Sequence, residues 1–339
     1  MATTEAIRVG VIGCGGIANS VHLPSLAEID GAELVAVCDL VEGRAKAAAE
    51  KYGVTKTYVL HPDMLAKEDL DAVFVLTEPD RLFRPTLDCL RAGVHVLMEK
   101  PPGVTTFQAE TLLREARATD RICQVGFNRR FIPLVRHVLK LLRAHTTITQ
   151  VEGRFYKHTS AAFVNGCCSA LESDMIHCLD AMRWIAGGEP TAAACVEGHF
   201  EDVCPNAWSG VCRFDNGVLG VARANYMTGG RTHGLEVHGP GGSALIDLGC
   251  GPPRCRATVL LHGGGSSYSL AATGPGKGEP LAIDGFEIAG SKDFHVYYGY
   301  RDQDAHFIDC VREGRRPLTD IAEGVKSMKF VDLLRAGRI

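Results

Sequence analysis

Residues 7–28 constrain the fold more than any other stretch of the chain. Ile7 to Val11 alternates and then runs apolar, as in a strand buried on both faces. Gly13-Cys14-Gly15-Gly16-Ile17-Ala18 follows at once, and from Ala18 the chain can coil. Strand, tight glycine turn and helix make the arrangement a dinucleotide pyrophosphate needs. Residues without side chains let the backbone approach the phosphates, and a helix N-terminus aims N–H groups and partial positive charge at them. Alanine takes the third glycine's place, where helix and strand pack closely. On this reading Gly13, Gly15, Gly16 and Ile17 contact the cofactor.

A second apolar run, Leu34 to Cys38, ends in Asp39, about 20 residues further on. A carboxylate there can accept hydrogen bonds from the adenosine ribose and repel a 2′-phosphate, which favours NAD. Arg44 lies close enough to turn back toward such a phosphate, so NADP stays open.

From residue 7 to about 100 the chain alternates strand and amphipathic helix. Strands are expected at 7–12, 33–38, 57–59, 72–76 and 94–98, and helices at 17–28, 42–52, 62–67, 81–92 and 106–118. That rhythm predicts an α/β domain, a doubly wound parallel sheet of Rossmann type. Ligands of such sheets bind beyond the strands' carboxyl ends. This directs attention to Thr77-Glu78-Pro79 and to Glu99-Lys100-Pro101. A lysine at the end of a buried strand is costly without a task, and Lys100 can polarise a substrate oxygen.

After a helix at about 132–144 the pattern changes. Asp215-Asn216-Gly217 and Gly239-Pro240-Gly241-Gly242 separate apolar runs in hairpin style. A large, mostly antiparallel open sheet with few helices is expected, an α+β domain. We place the first domain at 1–125 and the second, for substrate binding and oligomerisation, at 126–339. Residues 262–280, rich in Gly and Ser, read as a surface loop. On the helix expected over 172–186, Asp174 and His177 share a face, with Asp180 and Trp184 less well aligned. A histidine beside a carboxylate is a tunable acid/base, able to take an alcohol's proton as its hydride leaves. Asn128-Arg129-Arg130 offers donors for a polyhydroxylated or anionic substrate, or an ion pair between domains.

Composition excludes several classes. A net charge of −4 over 339 residues argues against a nucleic-acid surface. No apolar run reaches a membrane span, and Met1 to Glu5 does not read as a secretory signal, so a cytoplasmic protein is expected. Thirteen scattered cysteines without paired C-x-x-C knuckles read as buried apolar residues, with no metal site. Cys167-Cys168 is the exception, in a loop that can face the substrate.

The chain resembles the glucose–fructose oxidoreductase / inositol dehydrogenase / rhizopine-catabolism (Gfo/Idh/MocA) family over nearly its whole length. The residues that carry the resemblance are Gly13-x-Gly15-Gly16-x-Ala18, Asp39, Ala92-Gly93-x-His95-Val96 leading into Glu99-Lys100-Pro101, Asn128-Arg129-Arg130-Phe131-x-Pro133, and His177-x-x-Asp180 with Trp184. It implies hydride transfer between NAD(P) and a carbohydrate-like alcohol or ketone, served by Lys100, His177 and Asp174. It also implies a homodimer or homotetramer through the second domain's sheet. Lys100, Arg129, Tyr156, Asp174 and His177 are the expected substrate contacts. Two departures stand out. Family members often carry the aspartate four residues before the histidine, where this chain has Ser173. The Thr-Pro-Asn segment after the fourth strand is here Thr77-Glu78-Pro79-Asp80, with no histidine following. The same scaffold also serves NAD-dependent glycosidases that oxidise transiently, and non-enzymatic NAD(P)-responsive binding proteins.

Overall fold

The computed structural model describes residues 6–159, 162–163, 168–201, 204–250, 254–262 and 280–339. They form two compact units. The first comprises Met1–Asn128, Val164–Cys168 and Phe294–Lys329, and the second Arg129–Phe163, Ser169–Asp293 and Phe330–Ile339.

The first unit is built on six parallel strands: β1 (Ile7–Ile12), β2 (Ala32–Cys38), β3 (Lys56–Tyr58), β4 (Ala72–Val75), β5 (His95–Met98) and β6 (Cys123–Val125). Their order is β3-β2-β1-β4-β5-β6, the doubly wound order of dinucleotide-binding folds. The sheet is parallel because each strand returns through a helix: α1 (Leu23–Glu28), α2 (Glu42–Tyr52), α3 (His61–Lys67), α4 (Phe83–Arg91) or α5 (Thr106–Ala118). Val9, Val11, Val37, Phe74 and Leu97 are buried in its core. Much later in the chain, α9 (Phe294–Tyr297) and α10 (Tyr300–Glu313) return to this unit. Phe307 of α10 meets Phe74 of β4 edge to face, with ring centroids 5.5 Å apart.

The second unit holds an eight-stranded sheet. Its strands are β7 (Gln150–His158), β10 (Pro190–Gly198), β11 (Ala207–Phe214), β12 (Leu219–Asn225), β13 (Met227–Gly239), β14 (Gly242–Asp247), β15 (Arg256–Leu261) and β16 (Leu281–Asp284). The short strands β8 (Ala162–Phe163) and β9 (Cys168–Ser169) lie outside it. The order is β10-β11-β12-β7-β13-β14-β15-β16, antiparallel except for the β12–β7 pair. α6 (Pro133–His145), α7 (Ile176–Ala186) and the short α8 (Gly285–Ala289) belong to this unit, and the last helix, α11 (Ile321–Ala336), runs from the first unit's segment into the second's. α6 presents Leu134, Val135, Val138, Leu139 and Leu142 on its buried side, an amphipathic stripe. α7 lies close to the sheet because β7 carries Gly153 beneath it. A Cβ there would stand 2.2 Å from Cys178 Sγ and 3.1 Å from Met182 Sδ.

Candidate active site

In the first unit the glycine turn leaves β1 at its carboxyl end. Gly13 has φ +97°, and a Cβ on it would meet the Leu76 carbonyl at 2.8 Å, so no other residue fits. Gly15 and Gly16 have nothing within 4 Å of where a Cβ would stand. That is the open backbone surface that a pyrophosphate requires. Ile17 precedes the helix, whose first turn, Ala18–His22, is a π turn before α1 begins. Asn19 was not picked out from the sequence. Its Nδ2 donates to the Cys14 and Gly15 carbonyls at 2.8 and 3.0 Å and ties the turn to the helix. Asp39 stands at the end of β2 as expected. One of its oxygens accepts the Cys14 N–H at 2.8 Å, and the other accepts the Val41 N–H at 2.8 Å. The carboxylate is therefore fixed against the glycine turn. Arg44 is exposed in the first part of α2.

Thr77, Glu78 and Pro79 follow β4, and a 3-10 turn opens at Pro79. The Thr77 hydroxyl is buried with no hydrogen-bond partner among the described residues, while Glu78 is exposed. An orphaned hydroxyl and an open glycine surface at the carboxyl edge of one sheet fit a dinucleotide. Glu99 follows β5 directly, and the Lys100–Pro101 peptide bond is cis. Glu99 is 6% exposed, and its carboxylate is engaged within the unit by His22 and the Lys100 N–H. The carboxylate thereby ties the loop after β5 to the turn that carries His22.

The second unit gathers the acid/base residues. A π turn, Leu171–Met175, carries Asp174, and α7 starts immediately after it with Ile176 and His177. π turns of this kind recur at functional sites. Both residues are buried, His177 at 3% and Asp174 at 6% exposure. Asp174 Oδ2 accepts the Tyr226 hydroxyl at 2.9 Å and pairs with Lys157 Nζ at 3.1 Å. Burial first, and then Asp174, hold the Tyr226 phenol well above its ordinary range, so it remains a donor. His233 stacks on Phe155 at 4.0 Å, and the Arg129 guanidinium lies over the same ring at 5.9 Å. Burial pushes His233 well down, opposed by Asp174 and aided by Arg129, so it is a neutral imidazole.

Tyr156 does not share the face of Asp174. Phe155 and Gly153 point to the side covered by α7, so alternation turns Tyr156 to the open face, and Lys157 is the β7 residue that reaches Asp174. Arg130, expected to serve substrate or an ion pair between domains, meets Asp180 of its own unit. They form a bidentate pair, 2.7 and 2.9 Å, within the second unit, both nearly inaccessible. Of the Cys167-Cys168 pair, Cys168 is buried and Cys167 lies outside the described residues, as does most of the loop at 262–280 and the end of the stretch Tyr156–Asn165. The described cysteines are free thiols, and no cluster of metal-ligating side chains occurs among the described residues. No helix among them is long and apolar enough to cross a membrane.

Comparison with known proteins agrees with this geometry. Residues 7–127 match a family described as an oxidoreductase family with an NAD-binding Rossmann fold, and residues 168–245 match the GFO/IDH/MocA C-terminal domain. The chain is 27% identical to the scyllo-inositol 2-dehydrogenase (NAD(+)) of Bacillus subtilis over 340 aligned residues, covering 93% of this chain and 89% of that one. It is 28% identical to the myo-inositol 2-dehydrogenase of Thermotoga maritima, covering 71% and 75%. A dehydrogenase from Chromobacterium violaceum has the same fold, with a TM-score of 0.85 at 22% identity and coverage of 98% and 96%. A glycine cradle, a pinned carboxylate and a dehydrogenase-type second domain thus coincide in one sequence, and the chain belongs to the Gfo/Idh/MocA family of NAD-binding oxidoreductases.

Proposed function

We propose that this protein is a dehydrogenase or reductase of a carbohydrate-like alcohol or ketone, with NAD preferred over NADP. One observation carries the cofactor reading: Gly15 and Gly16 leave an open surface beside a carboxylate clamped by two N–H groups. The substrate class rests on relatives that act on inositols. When bound, the nicotinamide supplies the hydride acceptor or donor. The remaining work falls to this chain's side chains. His177 takes the hydroxyl proton as the carbon is oxidised. Lys100 stabilises the negative charge that develops on the oxygen, where a preorganised cation helps most. Asp174, held by Tyr226 and Lys157, fixes the electrostatics around the base. Arg129, laid over Phe155, offers a donor to a substrate hydroxyl or carboxylate.

The test is an absorbance screen at the NADH band. NAD and NADP are tried separately against inositols, aldoses, amino sugars and their keto forms. Reduced cofactor should accumulate with one polyol class and with NAD. Lys100→Met should then lower kcat by about 100-fold or more and leave NAD binding unchanged. Full turnover in that variant would remove Lys100 from the mechanism.

Assembly and location belong to the same proposal. The sheet face turned away from α7 exposes Val196, Val211, Leu219, Leu245 and Leu260, and we propose that it joins copies of the chain in a dimer or tetramer. The free thiols suit a reducing compartment, which supports a cytoplasmic enzyme.

A further inference from the structure

The first unit buries three titratable groups that the chemistry above does not use. They are Asp304 on α10, His22 in the π turn and Glu99 at the end of β5, at 0%, 0% and 6% exposure. Asp304 Oδ2 stands 2.9 Å from His22 Nδ1, and His22 Nε2 stands 3.1 Å from Glu99 Oε1. The remaining Glu99 oxygen accepts the Lys100 main-chain N–H at 3.1 Å. A histidine with a carboxylate at each ring nitrogen satisfies both contacts only as the doubly protonated imidazolium.

The far end of this chain is fixed as firmly as the near end. Gln303 Nε2 donates to Asp304 Oδ1 at 3.2 Å, and Gln124 Nε2 donates to the Gln303 carbonyl at 3.1 Å. Glu99 lies against bare backbone, since a Cβ on Gly126 would come within 3.0 Å of Oε1. Tyr300 turns its ring edge to His22 at 5.6 Å, and Phe74 of β4 does so at 5.9 Å. The charged groups that act on His22 are Asp304 and Glu99, with Lys100 beyond Glu99 and the Tyr300 ring beside the imidazole. Buried charges are costly, and apolar residues of similar size would stabilise the unit at least as well. This chain of charges instead ends on the residue at the reactive edge of the sheet.

We propose that Asp304 and His22 are positioning residues for Lys100, acting through Glu99. The buried chain fixes the carboxylate that receives the Lys100 N–H, and so fixes the point from which the ammonium reaches substrate. The inference rests on the reading of Lys100 as the group that stabilises the alkoxide. Burial opposes a charge on His22, but Asp304 and Glu99 more than reverse this and raise it to about 10. Burial likewise opposes ionisation of Glu99, yet His22 and Lys100 hold it below the ordinary carboxylate range.

A double-mutant cycle tests the proposal in the full-length enzyme. Single-turnover rates with NAD and scyllo-inositol, or the polyol selected by the screen, are compared for wild type, His22→Gln, Lys100→Met and the pair. NAD affinity and Tm are measured in parallel. His22→Gln alone should slow turnover about 10- to 100-fold, as displaced catalytic groups do, with NAD affinity within about twofold. Added to Lys100→Met, it should slow turnover no further, because the group it positions is gone. Should His22→Gln fail to fold, Asp304→Asn takes its place, since it keeps an oxygen for the His22 Nδ1–H and removes only the charge. Loss factors that multiply in the pair overturn the positioning role. Full turnover in Lys100→Met alone instead overturns the reading of Lys100, and this inference with it.

Discussion

At the scale of single residues, two carboxylates carry the predictions on cofactor choice and pH response. Asp39 is held by the Cys14 and Val41 N–H groups, so its charge stays at the end of β2. Asp39→Ser removes that charge and one charge-assisted bond to a ribose, which should weaken NAD about 10- to 100-fold. The same change should improve NADP relative to NAD, with Arg44 the nearest cation to meet its phosphate. Fluorescence titration with both cofactors reads the ratio, and an unchanged ratio would show that Asp39 does not select. The second carboxylate is the Glu99 that shares His22 with Asp304. His22 is raised from its ordinary value of 6.5 to about 10, chiefly by Asp304 against the opposing effect of burial. A raised folded value contributes stability that is complete below about 6.5 and is lost as pH rises through about 10. Wild type should therefore lose Tm progressively between about pH 6.5 and pH 10, over and above the general alkaline decline. His22→Gln should start less stable, by about 3–5 kcal/mol if the pair behaves as buried pairs do, and should lack that extra slope. Parallel slopes in the two proteins would place the alkaline loss elsewhere. None of this cluster could be seen in the sequence beyond Glu99. His22 and Asp304 are 282 positions apart, and no local pattern links them.

At the scale of elements, local pattern served where periodicity is strong and failed where small residues replace it. The parallel strands and their helices lie within a residue or two of their expected places, because long apolar runs and flanking glycines mark them. The hairpin around Asp215-Asn216-Gly217 was equally legible. The central strand β7 was not. It offers Gly153 where a branched residue would announce a strand, and β10 is dominated by alanine. Missing β7 also hid the sheet face of Tyr156, which follows from register alone. The π turns before α1 and α7 were read as plain helix, because five residues carry too little periodicity to separate the two. Gly153 has its own consequence. Its missing Cβ lets α7, the helix that carries His177, seat Cys178 and Met182 against the sheet. Gly153→Ala should destabilise the chain by about 1–3 kcal/mol through overpacking against Cys178. Cys178→Ala removes the sulfur that would collide, so the pair should lose less than the sum of the two single changes. Chemical denaturation of all four proteins measures this, and strict additivity would mean that the helix simply shifts away.

At the scale of the whole molecule, the outstanding feature is a broad sheet face with apolar side chains exposed. Registered pairing puts Val196, Val211, Leu219 and Leu245 on one side of the sheet, with Glu152, Arg154, Arg223 and Glu236 among them. The charges are already paired along the face, Arg223 with Glu152 and Arg154 with Glu236. A partner would therefore meet a neutralised surface and would gain mainly by covering the apolar residues. Eight strands about 4.8 Å apart, averaging about eight residues in length, present on the order of 800 Å². That is about the area each partner contributes to a stable interface. A sheet face meeting its own copy about a twofold axis is self-complementary and leaves no open chain of contacts, which favours closed assemblies. Light scattering on the eluted protein should give twice or four times the chain mass at micromolar concentration. Val211→Glu with Leu219→Glu places four carboxylates in a twofold interface and should return the protein to the chain mass. NAD binding, which depends on the other unit's glycine turn, should remain. A wild type that elutes at the chain mass, or a variant that still assembles, would show that this face stays bare and that the exposed valines and leucines have another use.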